Sequence, residues 1–276
     1  MSALHLSQQT VEQFKQIQSR LDQLQPEAEP QAVIVPGSPQ PKGTVVVFTG
    51  SFNPPTAAHL ALLKDASTYL SDHLEQAQLY AAFSKHTIDK ENVERPLLLD
   101  KVYLLHTILK RRLAHTGIML FNRGLYVEQA EAVYATFPGV RQLFFLIGYD
   151  KLVQIFDPHY YTDRDSSLLA LFNLASLLVA PRGDGGEQEI EELLHQPQNE
   201  RFAQHVQIMP FDASYRAISS TEVRQGGKAA MHATPREVQQ FIRETRAYAP
   251  PLQRADGTQV DVYSERSKQL QQLLQS

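Results

Sequence analysis

The stretch TVVVFTGSFNPPTAAHLALL, from Thr44 to Leu63, contains the strongest indication of the fold in this sequence. Its apolar run ends at Gly50, a turn rich in polar residues and proline follows, and a helical pattern then begins. An apolar strand that passes through a short turn into a helix is the starting unit of a parallel sheet. The same stretch places His59 within the first turn of the predicted helix.

Beyond this stretch, short apolar runs alternate with amphipathic helical stretches, which predicts a parallel sheet covered on both faces. The expected fold class is therefore α/β, a Rossmann-like doubly wound parallel sheet with an N-terminal helical extension. Right-handed crossovers bring every strand-to-helix loop to one edge of such a sheet, where ligands bind. The predicted strands are TVVVFTG, AQLYAAFS, TGIMLFN, VRQLFFLIG, LASLLVAP and VQIMPF, and the predicted helices cover residues 57–72, 97–114, 126–136, 187–195 and 235–246.

Two segments of different character flank this pattern. Residues 7–25 space apolar side chains by three and four positions, which predicts a helix that acts as a docking or lid element or as a packed brace. The next segment, PEAEPQAVIVPGSPQPKG, contains five prolines and predicts an extended linker. The tail ends in a Gln/Leu-rich helical pattern that would brace the domain or form a homo-oligomer. The expected division is 1–43 for the helix and linker, 44–249 for the α/β domain and 250–276 for the tail with its short helix.

The composition limits the classes of protein that fit. With 276 residues, of which 42% are hydrophobic, the chain can form a full core. The formal net charge of −4 offers no bulk attraction to nucleic acid or to an anionic membrane, so neither is an expected partner. The chain has no cysteine, its first residues lack a secretory signal, and its most apolar run, Leu168–Ala180, is too short to span a bilayer. We expect a cytoplasmic protein, with a nuclear location also open.

The loop GSFNPPTAAH has the features of an anion site at the start of a helix. A glycine allows the backbone to turn, the next residues can offer main-chain N–H groups, and an imidazole projects back towards the positive end of the helix. An ordinary helix start, capped by Asn53 or Thr56 and carrying a solvent-facing histidine, explains the same residues equally well. The residues that would form the anion site are Gly50, Ser51, Phe52, Thr56 and His59.

A second candidate site follows the last predicted strand, in YRAISSTEVRQGG. Ser219 and Glu222 have the spacing of a capping box, which is a common structural feature. The functional interpretation adds the Ser220 and Thr221 hydroxyls and Arg224, whose guanidinium can fork two hydrogen bonds onto phosphate oxygens. By itself, this motif is compatible with either a helix cap or a phosphate site.

The two motifs together resemble a family signature. GSFNPPTAAH, followed about 170 residues later by ISSTEVR, is similar to the G-x-F-x-P-x-x-x-G-H-like and I-S-S-T-x-[IV]-R motifs of the nucleotidyltransferase superfamily that includes nicotinamide and nicotinate mononucleotide (NMN and NaMN) adenylyltransferases. FFLIGYDKL resembles the strand of this family that ends in Gly-x-Asp, at Gly148 and Asp150. LLVAPRG resembles its later strand with an arginine-containing loop, at Arg182. The resemblance covers residues 44–247, and it would make 44–249 the nucleotidyltransferase domain.

The chain departs from the family pattern in three places. Thr56 stands where many bacterial members have a first histidine. The NMN adenylyltransferases of eukaryotes resemble this chain in having threonine there. Tyr149 replaces the usual small residue between Gly148 and Asp150. The chain also has no tryptophan, on which many relatives stack the nicotinamide ring. The segments IGYDKLVQIFDPHYY and FNRGLYVEQA resemble a diverged, fungal-type branch. The aromatic residues that could replace the tryptophan are Phe52, Phe156, Tyr160 and Tyr161.

The resemblance implies an NMN adenylyltransferase, which transfers AMP from ATP to NMN, or to NaMN, and releases pyrophosphate in the biosynthesis of NAD. It implies that His59 contacts the α-phosphate of ATP and that Arg224, Ser220 and Thr221 hold the β- and γ-phosphates. It implies Mg²⁺ bound mainly through ATP, and the histidines show no zinc-ligand spacing, so no protein metal site is expected.

Three further residues receive roles on the same grounds. Asp150 would accept hydrogen bonds from a ribose, although it could equally be a solvated helix cap. Lys85, which follows the second predicted strand, would pair with the mononucleotide phosphate, although it could be a surface lysine. Arg182 would bind the mononucleotide as well.

Two alternative functions fit the same predicted fold. The missing tryptophan leaves open adenylyl or cytidylyl transfer to a different phosphorylated acceptor. The two motifs are also compatible with a nucleotide-binding protein or an ATPase that transfers nothing to an acceptor.

Overall fold

The computed structural model describes residues 6–74, 76–85, 95–181, 186–215, 218–227, 231–254 and 257–275. The principal sheet has seven strands: β1 (Ala32–Ile34), β2 (Gly43–Thr49), β3 (Gln78–Ser84), β4 (Gly117–Phe121), β5 (Val140–Gly148), β6 (Ser176–Ala180) and β7 (Val206–Ile208). A short hairpin of β8 (Leu252–Gln253) and β9 (Gln259–Val260) lies apart from it.

The helices connect these strands and flank them at both ends of the chain. They are α1 (Gln8–Gln23), α2 (Ala57–His73), α3 (Leu98–Arg112), α4 (Tyr126–Thr136), α5 (Tyr149–Phe156), α6 (Arg164–Leu174), α7 (Gly186–Leu194), α8 (Ser220–Arg224), α9 (Arg236–Thr245) and α10 (Val262–Gln275). Within the described ranges, none of them combines the length and the apolar character needed to cross a membrane.

The strand order in the sheet is β1-β4-β3-β2-β5-β6-β7. The six strands from β2 to β7 are parallel, and β1 pairs antiparallel with β4. The chain therefore builds one half of the sheet outwards from β2 and then returns to build the other half from β5. The order reverses between β2 and β5, and such a reversal opens a crevice at the carboxyl ends of the two strands.

Helices cover both faces of the sheet, as the sequence predicts. Successive residues of β2 point to opposite sides, so that Val46 belongs to one buried cluster while Val45 and Val47 belong to the other. The first cluster includes side chains from α1, α2, α3 and α10, and the second includes side chains from α4, α5, α6 and α7. The expected α/β doubly wound fold is confirmed.

The predicted N-terminal helix is present and packs on the domain. Its apolar face is buried, and the Phe14 ring stacks on Tyr103 of α3 with ring centroids 4.3 Å apart. The proline-rich segment that follows does more than link, because it supplies β1, whose residues pair with those of β4 from Ala32↔Phe121 to Ile34↔Met119. The division of the chain at residues 43 and 249 stays a prediction.

The sequence pattern does not predict α5, α6 or β1. Helix α6 shares the apolar run Leu168–Ala180 with strand β6, so the change from helical to strand periodicity is hidden in continuous apolar sequence. The helix begins at Asp163, whose carboxylate accepts a hydrogen bond from the backbone N–H of Ser166 at 3.0 Å. Strand β1 has only three residues and is stabilised by the edge of β4 rather than by its own sequence. At the other end of the chain, α10 begins at Val262, earlier than the Lys268–Gln275 pattern indicates.

Candidate active site

The loop after β2 makes a tight, buried turn at the reversal of strand order. A Cβ on Gly50 would lie 3.1 Å from the ring of Phe52, so this close approach favours glycine. Phe52 has a φ of 40°, in the left-handed region, which costs about 1–3 kcal/mol. Its ring is fully buried, with its centroid 5.1 Å from that of Phe83 and 5.4 Å from that of Phe48. Packing of this ring therefore stabilises the strained turn.

Thr56 begins α2 and orients His59. The Thr56 backbone N–H donates to Nδ1 of His59 at 3.1 Å, and the Thr56 hydroxyl lies 2.8 Å from the same nitrogen. A backbone N–H can only donate, so Nδ1 acts as the acceptor and the ring proton is assigned to Nε2. The imidazole also packs beside Phe52, with centroids 5.1 Å apart. His59 thus has one face held by the loop and a hydrogen-bond donor at Nε2.

The second motif docks directly on the first. Ser219 caps α8, and its Oγ accepts a hydrogen bond from the Glu222 backbone N–H at 3.3 Å. The Ser220 hydroxyl donates to the Pro54 carbonyl at 2.8 Å. Arg224 donates through Nη1 to the Asn53 carbonyl at 2.7 Å. Two segments separated by more than 160 residues in sequence are therefore in contact.

Arg224 is also held from its own helix, because Nη2 donates to the Thr221 hydroxyl at 3.0 Å. The capping interpretation of this motif is confirmed, and its interpretation as a phosphate site stays a prediction. Ser219 performs the capping, while Ser220 and Arg224 join the helix to the loop after β2.

Asn53 links this site to two other parts of the chain. Its side chain is 5% exposed, its Oδ1 accepts from the Tyr248 hydroxyl at 2.6 Å, and its Nδ2 donates to the Arg95 carbonyl at 3.2 Å. Burial raises the pKa of Tyr248, so its hydroxyl remains protonated and available as a donor. With its backbone carbonyl occupied by Arg224, Asn53 makes three separate contacts and is the centre of the loop.

A second buried amide joins the ends of neighbouring strands. Gln129 of α4 is fully buried; its Oε1 accepts from the Thr49 hydroxyl of β2 at 2.9 Å, and its Nε2 donates to the Ser84 hydroxyl of β3 at 3.0 Å. The sequence pattern predicts no role for Asn53 beyond a helix cap, and none for Tyr248, Arg95 or Gln129. Gln129 offers one signal in the sequence, because it shares a face of the predicted helix with Tyr126 and Val133, three and four positions away.

Across the crevice, β5 ends in Gly148 and passes directly into α5. The pairing of Val47 with Phe145 aligns the carboxyl ends of β2 and β5 at one level. Asp150 lies in the first turn of α5 and is exposed. Burial, followed by the carboxylates of Glu189, Glu192 and Asp150, raises the pKa of Tyr149. Three carboxylates therefore lie near Tyr149, and the β2 side of the crevice carries His59 and Arg224.

Comparison with known proteins adds support for the fold. No protein-family model matches the chain, and no curated protein matches it. The solved structure of Plasmodium falciparum nicotinic acid mononucleotide adenylyltransferase complexed with NaAD is similar, with a TM-score of 0.51 and 16% identity over 75% of this chain and 98% of that chain. A putative nicotinate-nucleotide adenylyltransferase from Vibrio parahaemolyticus matches with a TM-score of 0.36 and 15% identity, over 74% of this chain and 94% of that one. The likeness to the Plasmodium falciparum structure shows a shared fold.

Of the two residues predicted to bind the mononucleotide, Lys85 lies within the described part of the chain. Lys85 lies at the end of β3, where its Nζ donates to the carbonyls of Leu21 at 3.1 Å and Leu24 at 2.8 Å, at the end of α1. The ammonium is therefore directed at a helix C-terminus, and its role towards a mononucleotide stays a prediction. Arg182 lies outside the described residues. In the part of the chain that the structure describes, no group of three or more histidine, aspartate or glutamate side chains is arranged to hold a metal.

Proposed function

We propose that this chain transfers the adenylyl group of ATP to NMN or NaMN, forming the dinucleotide and pyrophosphate. The observation that carries the proposal is the hydrogen bond from Arg224 to the Asn53 carbonyl, which joins the two motifs at the reversal of strand order. The fold shared with a Plasmodium falciparum adenylyltransferase solved with NaAD supports the same reaction class.

The reaction needs positioned donors rather than a protein nucleophile. A 5′-phosphate oxygen of the mononucleotide attacks the α-phosphorus of ATP, and the bond from that phosphorus to the bridging oxygen of pyrophosphate breaks. Negative charge accumulates on the phosphate oxygens in the transition state, and fixed donors stabilise it. His59 suits this role because its contact with the Thr56 N–H assigns the ring proton to Nε2. The imidazole would donate to an α-phosphate oxygen as the charge develops.

Arg224 and the start of α8 would hold the leaving group. A guanidinium has five N–H donors, and the contacts to Asn53 and Thr221 set its orientation. Its remaining donors would bind the β- and γ-phosphates, together with the backbone N–H of Ser220 and the hydroxyl of Thr221. The loop residues Gly50, Ser51 and Phe52 would line the same phosphates, and Gly148 and Asp150 would contact the ribose. The assignment of Lys85 and Arg182 to the mononucleotide rests on the sequence resemblance.

Mg²⁺ would enter as part of the substrate, bound to the phosphates of ATP. The donor set at the loop consists of an imidazole N–H, a guanidinium and backbone N–H groups, and such groups recognise phosphate oxygens rather than a cation. The chain's own residues would therefore bind Mg·ATP through its oxygens, while the ion neutralises charge between the phosphates.

One incubation tests the proposal against its alternatives. The protein is mixed with Mg·ATP and either NMN, NaMN or no acceptor, and the dinucleotide, pyrophosphate and ADP are separated by chromatography. We expect dinucleotide and pyrophosphate in equal amounts with at least one acceptor, and the ratio of kcat/KM values then assigns the preferred ring. ADP formed without an acceptor would instead indicate an ATPase. Pyrophosphate release that requires some other phosphorylated acceptor would indicate a different transferase.

A further inference from the structure

We propose that Arg95, held by the C-terminal helix α10, is a positioning residue of the active site that acts on Arg224 through Asn53. This inference rests on the proposed binding of ATP by Arg224. It gives the C-terminal segment, for which the sequence predicts only a brace or an oligomer contact, a part in organising the site.

The first step is the attachment of Arg95 to the start of α10. Its guanidinium donates through Nη1 to Oδ1 of Asp261 at 3.0 Å and through Nη2 to Oδ2 of the same carboxylate. Nη2 also donates to the Ser264 hydroxyl at 2.6 Å, and the guanidinium lies 5.6 Å from the centroid of the Tyr263 ring. This paired contact holds the pKa of Asp261 down at about 2, so its carboxylate is ionised at neutral pH. A two-pronged ion pair of this kind fixes orientation as well as distance.

The second step passes from Arg95 to the active-site loop. The Arg95 backbone carbonyl accepts the hydrogen bond from Asn53 Nδ2, and the Asn53 carbonyl accepts the one from Arg224. Both contacts are made by a single residue that is almost completely buried. The side-chain amide of Asn53 makes the contact with Arg95 and its backbone carbonyl makes the contact with Arg224, so the first contact holds in place the residue that presents the second. Arg95 therefore lies two contacts away from the guanidinium that is proposed to bind the leaving group.

A second anchor holds the same segment next to Arg95. Asp100, which is 1% exposed, accepts at Oδ2 from the Tyr263 hydroxyl at 2.6 Å and from Arg266 Nη1 at 2.7 Å. The Tyr263 hydroxyl in turn accepts from the Leu97 backbone N–H at 2.6 Å. Helix α10 thus binds both sides of the turn that carries the Arg95 carbonyl. Restriction of that turn leaves the position of Asn53 with little freedom.

A fixed position of Asn53 matters because its carbonyl orients the Arg224 side chain. A free arginine side chain populates many rotamers, and that freedom is lost when the guanidinium binds a phosphate. A fixed carbonyl at Asn53 orders Arg224 before ATP arrives and so lowers that cost. Loss of the Arg95 contacts would then weaken ATP binding without any change to a residue that touches ATP.

A double-mutant cycle tests this coupling. Arg95→Met and Arg224→Ala are made singly and together in the full chain, and the Kd for Mg·ATP is measured by calorimetry without an acceptor. We expect Arg95→Met to weaken binding about 5- to 20-fold in the native background and less than about twofold in the Arg224→Ala background, since coupled residues are not additive. The matched control is Arg112→Met, which breaks the contact from Arg112 Nη2 to Glu237 Oε2 at 3.1 Å, and it should change the Kd less than about twofold in both backgrounds.

Equal weakening by Arg95→Met in both backgrounds would overturn the proposal, as would a lower melting temperature with an unchanged Kd. If Arg95→Met does not fold, Asp261→Asn takes its place in the cycle, because it removes one side of the ion pair and conserves the shape. An unaltered protein that does not bind ATP would also refute the inference.

Failure of the proposed function is separable from failure of this inference. A coupled ATP Kd in a protein that forms no dinucleotide with NMN or NaMN would reject the reaction and retain the role of Arg95. If the protein forms dinucleotide but the effects of Arg95→Met and Arg224→Ala on the ATP Kd are additive, the proposed reaction is retained and the role of Arg95 is rejected. In an active protein, a rise in the KM for ATP with a smaller fall in kcat is the expected kinetic pattern for Arg95→Met.

Discussion

Two regions along one edge of the sheet carry hydrogen-bond donors and use them differently. At the carboxyl ends of β2 and β5, His59 and Arg224 are oriented by the loop itself. At the carboxyl ends of β3 and β4, the donors bind the N-terminal segment. Asn122 Nδ2 donates to the Gln25 carbonyl at 2.8 Å and to the Glu29 carbonyl at 2.9 Å, and Lys85 contacts the end of α1.

The comparison shows that a polar residue after a parallel strand is not by itself a ligand site. Peptide carbonyls carry partial negative charge, especially at a helix C-terminus, so they satisfy an ammonium or an amide much as a phosphate does. In the half of the edge formed by β3 and β4, the chain supplies those carbonyls from residues 21–29. The half at β2 and β5 is therefore the one to which we assign the chemistry.

Among substitutions at this edge of the sheet, His59→Ala should have the largest effect on catalysis. Loss of a donor that stabilises developing charge lowers kcat by about 10²- to 10³-fold. Steady-state dinucleotide formation measures it. His73→Ala, at the exposed end of the same helix, is the matched control and should leave kcat within about twofold. Turnover close to that of the native protein in His59→Ala would remove the role assigned to the imidazole.

Arg224 should give the next largest effect. Removal of a charged hydrogen-bonding group costs about 1.5–3 kcal/mol, so Arg224→Ala is expected to lower kcat/KM for ATP roughly 10- to 150-fold. Arg224→Lys keeps the charge but not the fork and should restore only part of the loss. The exposed Arg243 of α9 provides a control by the same substitution to alanine. If Arg224→Ala lowers the melting temperature but leaves kcat/KM for ATP unchanged, Arg224 has a structural role and does not bind ATP.

On the other half of the edge, Asn122→Ala should affect stability rather than catalysis. The Asn122 side chain is fully buried, and its Oδ1 also accepts from the Gln31 backbone N–H at 2.7 Å. Removal leaves buried backbone groups unpaired, at a cost of about 1–3 kcal/mol in the free energy of unfolding measured with urea. The exposed Asn173 is the control. Values of kcat/KM should stay within about twofold of the native protein, and a larger loss would mean that both halves serve the reaction.

Lys85→Met should give the smallest change in stability, and it tests directly whether Lys85 contacts α1 or the mononucleotide. A cation at a helix C-terminus contributes about 0.3–1 kcal/mol, so a small loss of unfolding free energy with an unchanged KM for the mononucleotide identifies Lys85 as a cap for α1. A rise of about tenfold in that KM, with stability unchanged, would instead support the phosphate role that the sequence predicts. Steady-state kinetics and urea unfolding of the same preparation separate the two.

The structural predictions that are confirmed depend on residues close together in the sequence. The strands from β2 to β7 and the helices α2, α3, α4, α7 and α9 occur where the apolar pattern places them, because that pattern reflects burial within a few residues. The position of His59 follows likewise, since the first turn of α2 directs its ring back to Thr56. Strand β1 could not be foreseen, because three residues form a strand here only beside the edge of β4.

The amino-acid pattern predicts the parallel α/β architecture and the strand–turn–helix unit around His59, and the resemblance to a family signature pairs that unit with the motif around Arg224. The contacts of Asn53 with Arg224, Arg95 and Tyr248 are seen only in the folded chain, and so is the direction of Lys85 towards the end of α1. The physical reason is distance along the chain. Backbone propensity and side-chain periodicity act over about four residues, whereas the contacts of Asn53 span 42, 171 and 195 residues and form only when the sheet has brought those segments together.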